Sequence, residues 1–296
     1  ENLVKGITPF LAKPGAVVGN PYRLKANKDK SFIGSYVLGM GFTLQPDEAH
    51  ALIDKNQKNA DVMFPYLNGE DLNSHPEQKP SRWVINFFDW PLNRTADGNW
   101  FEGLSENEKQ KAHKAEKGFT FYKDEPKLPK ILSKKRKVWL QQGIVPADYP
   151  YPVAADYPDC LEIVEEKVRP ERAKLIGRNP IGTKRGTFWW RYGSDAKSLY
   201  SIIAEMNRVL IRAEVSSHLT FSWRPINEIF SHMLIVWAES NESFFSVLQS
   251  SFHGVWTLKY ASTLGRGIRY TPSDCFLNFP FPNFSDNLKD VANHYY

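Results

Sequence analysis

The sequence has little cysteine and no long apolar run. Its 296 residues include only two cysteines, Cys160 and Cys275, which fit no metal-binding or redox spacing. No apolar stretch approaches the roughly twenty residues that span a bilayer, and the first residues lack the pattern of a secretory signal peptide. We therefore expect no membrane association and a cytoplasmic location, where thiols stay reduced. The chain begins with Glu1 rather than methionine, which favours a fragment or a processed chain.

Motifs of catalysis are also missing. The sequence contains no Gly-x-Ser-x-Gly element and no phosphate-binding Walker loop. Gly39 and Gly41 follow a predicted strand, as a cofactor-binding loop would, but a third glycine is lacking and we predict close backbone packing instead. Glu125 and Lys127 resemble the Glu-x-Lys pair of metal-dependent nucleases, yet they lie in a lysine-rich loop with no preceding strand. We identify no catalytic or metal-binding centre in the sequence.

Basic residues are concentrated in one part of the chain. The net charge is only +5, but residues 172–224 contain ten basic and three acidic side chains, a local net charge of +7. Such clusters are usually solvated surfaces, and they are also the electrostatic footprint of nucleic-acid-binding proteins. A second basic block lies at residues 134–137. The basic residues of the first cluster are Arg172, Lys174, Arg178, Lys184, Arg185, Arg191, Lys197, Arg208, Arg212 and Arg224.

The pattern of apolar residues predicts an α+β fold with a mixed, mostly antiparallel sheet and packed helices. The strands are predicted at residues 31–44, 62–67, 82–88, 208–215, 220–223 and 230–238. The helices are predicted at residues 45–59, 159–175, 198–206 and 242–260. We expect the last helix to be continuous, with a core-facing stripe at helical spacing. That stripe consists of Phe245, Leu248, Phe252, Val255 and Leu258.

Residues 95–153 differ in character from the rest of the chain. They are polar, rich in lysine and interrupted by glycine and proline. Ser105 and Glu108 have the spacing of a helix capping box, which predicts one exposed helix. We interpret residues 95–153 as an insertion or flexible subdomain, and residues 1–94 and 154–296 as the main domain.

A glycine–arginine turn near the end of the chain is the candidate reading element. Gly265 and Gly267 flank Arg266, and Arg269 follows two residues later. Glycine lets a backbone approach its partner closely, and arginine matches a guanine edge or a phosphate. The aromatic and proline-rich residues 275–282 should pack and anchor this turn. Alone, such a turn would be read as a solvated surface turn.

Several segments resemble the target-recognition region of fused restriction–modification DNA methyltransferases of type IIG, including the IIL group. The resemblance covers most of the chain except residues 95–153. The resembling segments are GSYVLGMGF at 34–42, PYLNGEDLN at 65–73, WVINFFDWP at 83–91, YPDC at 157–160, VRPER at 168–172, WWRY at 189–192, RYTPSDCF at 269–276 and FPFP at 279–282.

The resemblance implies sequence-specific binding of double-stranded DNA, as the recognition part of a larger adenine-N6 methyltransferase or restriction–modification enzyme. In that family S-adenosylmethionine binds a methyltransferase domain that carries an Asn-Pro-Pro-(Tyr/Phe) motif. This sequence has neither that motif nor the Phe-x-Gly-x-Gly cofactor loop. The expected partners are therefore duplex DNA and the methyltransferase domain of the same parent polypeptide, and no cofactor is expected in this chain.

The candidate DNA-binding residues combine base readers with phosphate contacts. We expect Arg266 and Arg269 to read bases in the major groove. Arg191 follows Trp189 and Trp190, which predicts a structural aromatic cluster with arginine stacked on it, or alternatively a platform for a phosphate or a base. The remaining candidates for backbone or base contacts are Lys184, Arg185, Arg191, Arg212, Arg224 and Lys259.

Two other functions remain open from the sequence. One is a complete small nuclease or methyltransferase. The other is a protein- or sugar-binding module that uses exposed residues among the 9 Trp, 13 Tyr and 19 Phe of the chain. DNA binding should weaken steeply with added salt, whereas binding through aromatic side chains should not.

Overall fold

The computed structural model describes residues 21–114, 133–265 and 267–295 and has the predicted α+β fold, with mostly antiparallel sheets. Arg266 and the Glu125–Lys127 pair lie outside these residues. The strands are β1 (Ser31–Ile33), β2 (Thr43–Leu44), β3 (Met63–Leu67), β4 (Arg82–Ile85), β5 (Asn93–Ala96), β6 (Ile144–Pro146), β7 (Arg208–Ala213), β8 (Val215–Ser216), β9 (Ser222–Pro225), β10 (Ile229–Phe230), β11 (Leu234–Trp237), β12 (Ser262–Leu264) and β13 (Gly267–Arg269). The helices are α1 (Pro46–Lys55), α2 (Gly69–Ser74), α3 (Glu106–Lys114), α4 (Lys134–Gln142), α5 (Pro158–Lys167), α6 (Arg169–Ala173), α7 (Pro180–Thr187), α8 (Lys197–Ile203), α9 (Glu242–Gln249), α10 (Ser251–Tyr260) and α11 (Asp286–Tyr295).

The chain divides into two compact units. Within the described residues, the larger unit comprises 32–213 and 222–240, and the smaller unit comprises 21–31, 214–221 and 241–295. The boundaries predicted at residues 94 and 153 both fall inside the larger unit. None of the described helices is long and apolar enough to cross a membrane.

Two four-stranded sheets form the centre of the larger unit. One has the order β1-β11-β7-β9, in which β7 pairs antiparallel with both β11 and β9. The other has the order β10-β3-β4-β2 and is mixed, because β10 runs parallel to β3. All four residues of β11 are buried, as are five of the six residues of β7. Such continuous burial is typical of strands covered on both faces, although the buried run of β7 includes Arg212.

Local signals set the helix starts in this unit. The α1 helix begins at Pro46, and the Glu48 carboxylate accepts a hydrogen bond of 2.8 Å from the Gln45 backbone N–H. Asn68 caps α2 with its side-chain oxygen, and α5 begins at Pro158. The predicted close packing at the glycine pair is confirmed: a Cβ at Gly41 would lie 2.5 Å from the Cβ of Lys167. The segment itself is a 3-10 turn rather than a strand.

The described part of the 95–153 region has a small core of its own. Trp100 and Trp139 pack there with buried tyrosines and valines, and β5 pairs parallel with β6. The capping box predicted at the start of α3 is present, with the Glu108 carboxylate accepting from the Ser105 N–H at 2.9 Å. Arg136, from the second basic block, is buried and donates to the Trp100 carbonyl at 2.7 Å. One of the basic residues in that block is therefore a packing residue.

The smaller unit is built around α9, α10, α11 and the three-stranded antiparallel sheet β12-β13-β8. Its core contains Phe244, Tyr270 and Phe276, each at most 1% exposed. Asn27 joins the start of the chain to this core, because its side-chain amide donates to the carbonyls of Phe276 at 2.9 Å and Phe279 at 2.8 Å.

The predicted continuous helix at 242–260 is wrong. It is two helices, α9 and α10, separated by Ser250, which has an extended backbone with ψ 156°. The Ser250 hydroxyl caps α10 by accepting from the His253 N–H at 3.3 Å. One extended residue changes the phase of the helical repeat, so the stripe begun by buried residues of α9 does not continue into α10.

The change of phase reverses the predicted burial in α10. Phe252, Val255 and Leu258 are exposed, Phe252 by 83% of its surface, while His253 and Thr257 are fully buried. The predicted assignment of Phe252, Val255 and Leu258 to the core is therefore wrong. The expected burial of Phe245 and Leu248 in α9 is confirmed.

Candidate nucleic-acid interface

The predicted glycine–arginine turn is the tip of a β-hairpin. The β12 and β13 strands pair Leu264 with Gly267, so that only Gly265 and Arg266 connect them. Gly265 has φ +59°, a left-handed conformation that two-residue hairpin turns require and that glycine adopts without strain. No predicted strand covered this hairpin. All three residues of β12 are exposed, and so is Gly265.

Arg269 is held at the base of the hairpin. It lies in β13, opposite Val215 of β8, and its Nε donates to the Glu214 carboxylate at 2.8 Å. Its side chain is 48% exposed, so the ion pair orients the guanidinium without burying it. Lys259 is exposed near the end of α10, with its ammonium 5.2 Å from the Tyr260 ring centre.

The aromatic segment after the hairpin packs as predicted. Tyr270 is fully buried and its hydroxyl lies 3.0 Å from His253 Nε2. Phe281 stacks on Phe244 at 4.9 Å between ring centres. This packing fixes the chain on the carboxyl side of the hairpin to the core of the smaller unit.

Three of the predicted DNA-binding residues come together in the larger unit. Lys184, Arg185 and Arg191 line one cavity of about 280 Å³. Lys184 is exposed in the last turn of α7, and Arg185 is partly buried beside it. Side chains that the sequence did not connect with these cations complete the lining, among them Asp89, Phe188 and Asp195.

Arg191 is part of the predicted aromatic cluster. Trp189 and Trp190 are buried, and the Arg191 guanidinium lies 5.2 Å from the Trp190 ring centre and 4.8 Å from that of Phe188. Its Nε donates to the Trp90 carbonyl at 2.9 Å. Burial lowers the pKa of Arg191 to about 10, and the charges of nearby acidic groups oppose this. The residue still carries its charge at neutral pH.

Arg212 and Arg224 present little charge to solvent. Arg212 lies in β7 with a fully buried side chain, and its Nε donates to the Ala213 carbonyl at 3.1 Å. Arg224 has a side chain only 14% exposed and forms a two-pronged ion pair with Glu228. Burial raises the pKa of Glu228, although Arg224 opposes that shift. In this structure both arginines lie in the fold of the larger unit rather than on its surface.

Arg172 has a role that charge counting did not reveal. It belongs to the +7 window, but it is only 3% exposed. Its guanidinium donates to four backbone carbonyls and lies 5.0 Å from the Phe42 ring centre. Burial, reinforced by the charge of Arg185, lowers the pKa of Arg172 to about 10. The resembling segment VRPER at 168–172 drew attention to this position. No pattern in the sequence identified the backbone carbonyls that Arg172 contacts.

No protein-family model matches this sequence, and no curated protein matches it. Solved structures do match. The fold of this chain corresponds to a portion of a type IIL restriction–modification enzyme. That enzyme is MmeI, solved in complex with DNA, and the comparison gives a TM-score of 0.56 at 13% sequence identity. The match covers 98% of this chain and 30% of the MmeI chain.

Proposed function

We propose that this chain binds double-stranded DNA sequence-specifically, as the target-recognition part of a larger adenine-N6 DNA methyltransferase or restriction–modification enzyme. The observation that carries the proposal is the match of 98% of the chain to a part of an enzyme solved with DNA. The exposed hairpin with its arginines supplies a base-reading element, and exposed cations supply phosphate contacts.

The hairpin is the element best suited to reading sequence. A two-stranded ribbon fits the major groove of B-DNA. Arg269 is pre-oriented by Glu214, and Arg266 occupies the turn in the sequence. Lys184 and Lys259 are exposed and Arg185 is partly exposed, and all three suit contacts with the phosphate backbone. Arg212 and Arg224 are left out of the proposed interface because of their burial.

The catalytic step belongs to another part of the parent polypeptide in this proposal. S-adenosylmethionine would bind the methyltransferase domain, since this sequence contains neither the Asn-Pro-Pro motif nor the cofactor loop. The base that is methylated would be flipped into the catalytic domain, so the recognition part needs no reactive side chain. A stand-alone enzyme would instead bind S-adenosylmethionine tightly, or cleave DNA with magnesium, and titration of the pure chain with each distinguishes these cases.

Salt dependence tests the mode of binding. A labelled duplex selected from a randomised library should bind the chain with an affinity that falls roughly fortyfold between 50 and 200 mM salt if three cations contact phosphates. The measurement is fluorescence anisotropy. An affinity that does not change over this range would contradict the proposal and favour a module that binds through aromatic side chains.

Arg269→Ala should relax specificity at one base pair. We expect a loss of about 1–3 kcal/mol on the selected duplex and little change on a scrambled one, because a base contact is made only with the correct sequence. Lys184→Ala is the matched control, since a phosphate contact contributes equally to both duplexes. Equal losses on both duplexes for Arg269→Ala would make Arg269 a phosphate contact instead. Urea unfolding of each variant verifies that the fold is intact.

A further inference from the structure

The cavity in the larger unit has the size and lining of a small-ligand site. Its volume of about 280 Å³ is close to the lower end of the roughly 300–1,000 Å³ range of ligand pockets. Cationic, acidic and aromatic side chains all face it, and every one of them belongs to the larger unit. The lining side chains that matter for a ligand are Lys184, Arg185, Phe188, Arg191, Asp89 and Asp195.

One side of the cavity carries positive charge that no carboxylate neutralises in the described parts of the chain. The Nε of Arg185 is buried and has no hydrogen-bond partner there, and a buried donor without a partner is costly. Behind it, Arg172 is satisfied by neutral backbone carbonyls alone. Burial lowers the pKa of Arg172, and repulsion from the charge of Arg185 lowers it further. An anion beside Arg185 in the cavity would offset the repulsion between the two guanidinium groups.

The lining also contains two carboxylates. Asp89 and Asp195 both act favourably on the charge of Arg191, and Asp89 also pairs with Lys197 at 3.3 Å. Carboxylate oxygens accept hydrogen bonds from amino groups such as N4 of cytosine and N6 of adenine. The lining therefore combines cations that suit an anion with carboxylates that suit a hydrogen-bond donor, and it includes Phe188.

The backbone next to both carboxylates is held in an uncommon conformation. Phe88, next to Asp89, and Ala196, next to Asp195, both have φ +54°. Residues other than glycine rarely adopt such angles, and strained backbone of this kind concentrates at ligand and active sites. Both residues thus lie next to a carboxylate of the cavity lining.

We propose that this cavity binds one nucleotide, with its phosphate at Lys184 and Arg185 and the amino group of its base at Asp89 or Asp195. The inference rests on the proposed function, because the nucleotide would be an unstacked unit of the bound DNA. Cytosine and adenine offer an amino group that can donate to these carboxylates, whereas thymine has no amino group and presents its single N3–H between two carbonyl acceptors. The site therefore discriminates bases as well as holding a phosphate.

Nucleotide titrations of the full chain test the site. The probes are dCMP, dAMP, dTMP, deoxycytidine and inorganic phosphate, followed by calorimetry and by the Arg185 Nε–H signal in NMR spectra. We expect dCMP and dAMP to bind about fivefold or more tightly than dTMP, and deoxycytidine to bind about tenfold more weakly than dCMP, since it lacks the charge-assisted phosphate contact.

Variants locate the binding in the cavity. Arg185→Ala should weaken dCMP binding about tenfold, while Arg178→Ala, which removes an exposed arginine outside the cavity lining, should leave it unchanged. Asp89→Asn and Asp195→Asn together should abolish the preference for dCMP over dTMP. Equal effects of the two arginine variants, equal binding of all bases, or no saturable binding would overturn the proposal.

Duplex binding separates this inference from the proposed function. If the selected duplex binds with the expected salt dependence while no nucleotide binds, the cavity proposal alone fails. If nucleotides bind the cavity and no duplex does, the role in DNA recognition fails and the nucleotide site stands.

Discussion

Replacing Arg172 with alanine should lower the free energy of unfolding by about 3–5 kcal/mol, because four backbone carbonyls lose hydrogen bonds from a buried charged group. The Arg172 guanidinium donates to the carbonyls of Val37 at 3.2 Å, Leu38 at 3.0 Å and Trp189 at 3.2 Å, and also to that of Arg191. Truncation leaves these acceptors without their donor and opens a void beside Phe42. Urea unfolding followed by circular dichroism and tryptophan fluorescence measures the change.

Two further substitutions show that the geometry of Arg172 matters and not its charge alone. Arg172→Lys keeps the charge, but one ammonium group cannot donate to all four carbonyls. This variant should therefore recover little of the lost stability. Arg178→Ala removes an exposed arginine from the same basic window and should change stability by no more than about 0.5 kcal/mol. A loss below about 1 kcal/mol for Arg172→Ala would show that these contacts do not hold the fold.

The stability losses caused by alanine substitutions along residues 242–260 should differ sharply between the two sides of Ser250. Phe245→Ala should cost about 3–5 kcal/mol and Leu248→Ala about 2–5 kcal/mol, because each empties a packed site. Phe252→Ala and Leu258→Ala should each change stability by no more than about 0.5 kcal/mol, since both side chains are largely exposed. Urea unfolding of the four variants provides the comparison.

These four positions are their own matched controls, because all belong to one apolar stripe in the sequence. A continuous helix would make Phe252 as costly to truncate as Phe245. Comparable losses on both sides of Ser250 would therefore contradict the break between α9 and α10. Ser250→Ala, which removes the cap of α10, should cost about 1 kcal/mol if the break is real.

The sequence predicted much of the fold where short-range patterns decide structure. Helix α1 begins with the predicted proline and acidic first turn, and the capping box of α3 forms as expected. The apolar runs of β7 and β11 are strands as expected. In each case the deciding interactions lie within a few residues of each other, so the pattern carries the information.

The candidate site was less predictable. The glycine spacing singled out the turn at 265–267 but did not predict the strands that flank it, and the pairing of β13 with β8 joins residues about fifty positions apart. The cavity draws on residues near 88, 185 and 195, which no local pattern connects. Buried Arg172 and Arg212 were counted as members of a basic surface, because charge composition gives no information on which way a side chain points.

The sequence by itself determined the α+β class, the helix caps, the glycine–arginine turn and the excess of positive charge, since these depend on residue type and near neighbours. The tertiary structure decided which arginines are buried, where the helix at 242–260 breaks, and how Lys184, Arg185, Asp89 and Asp195 come to share one cavity. The physical reason is the same in each case. Burial and long-range pairing are properties of the packed chain. An arginine is the same letter in the sequence whether its side chain is solvated or buried.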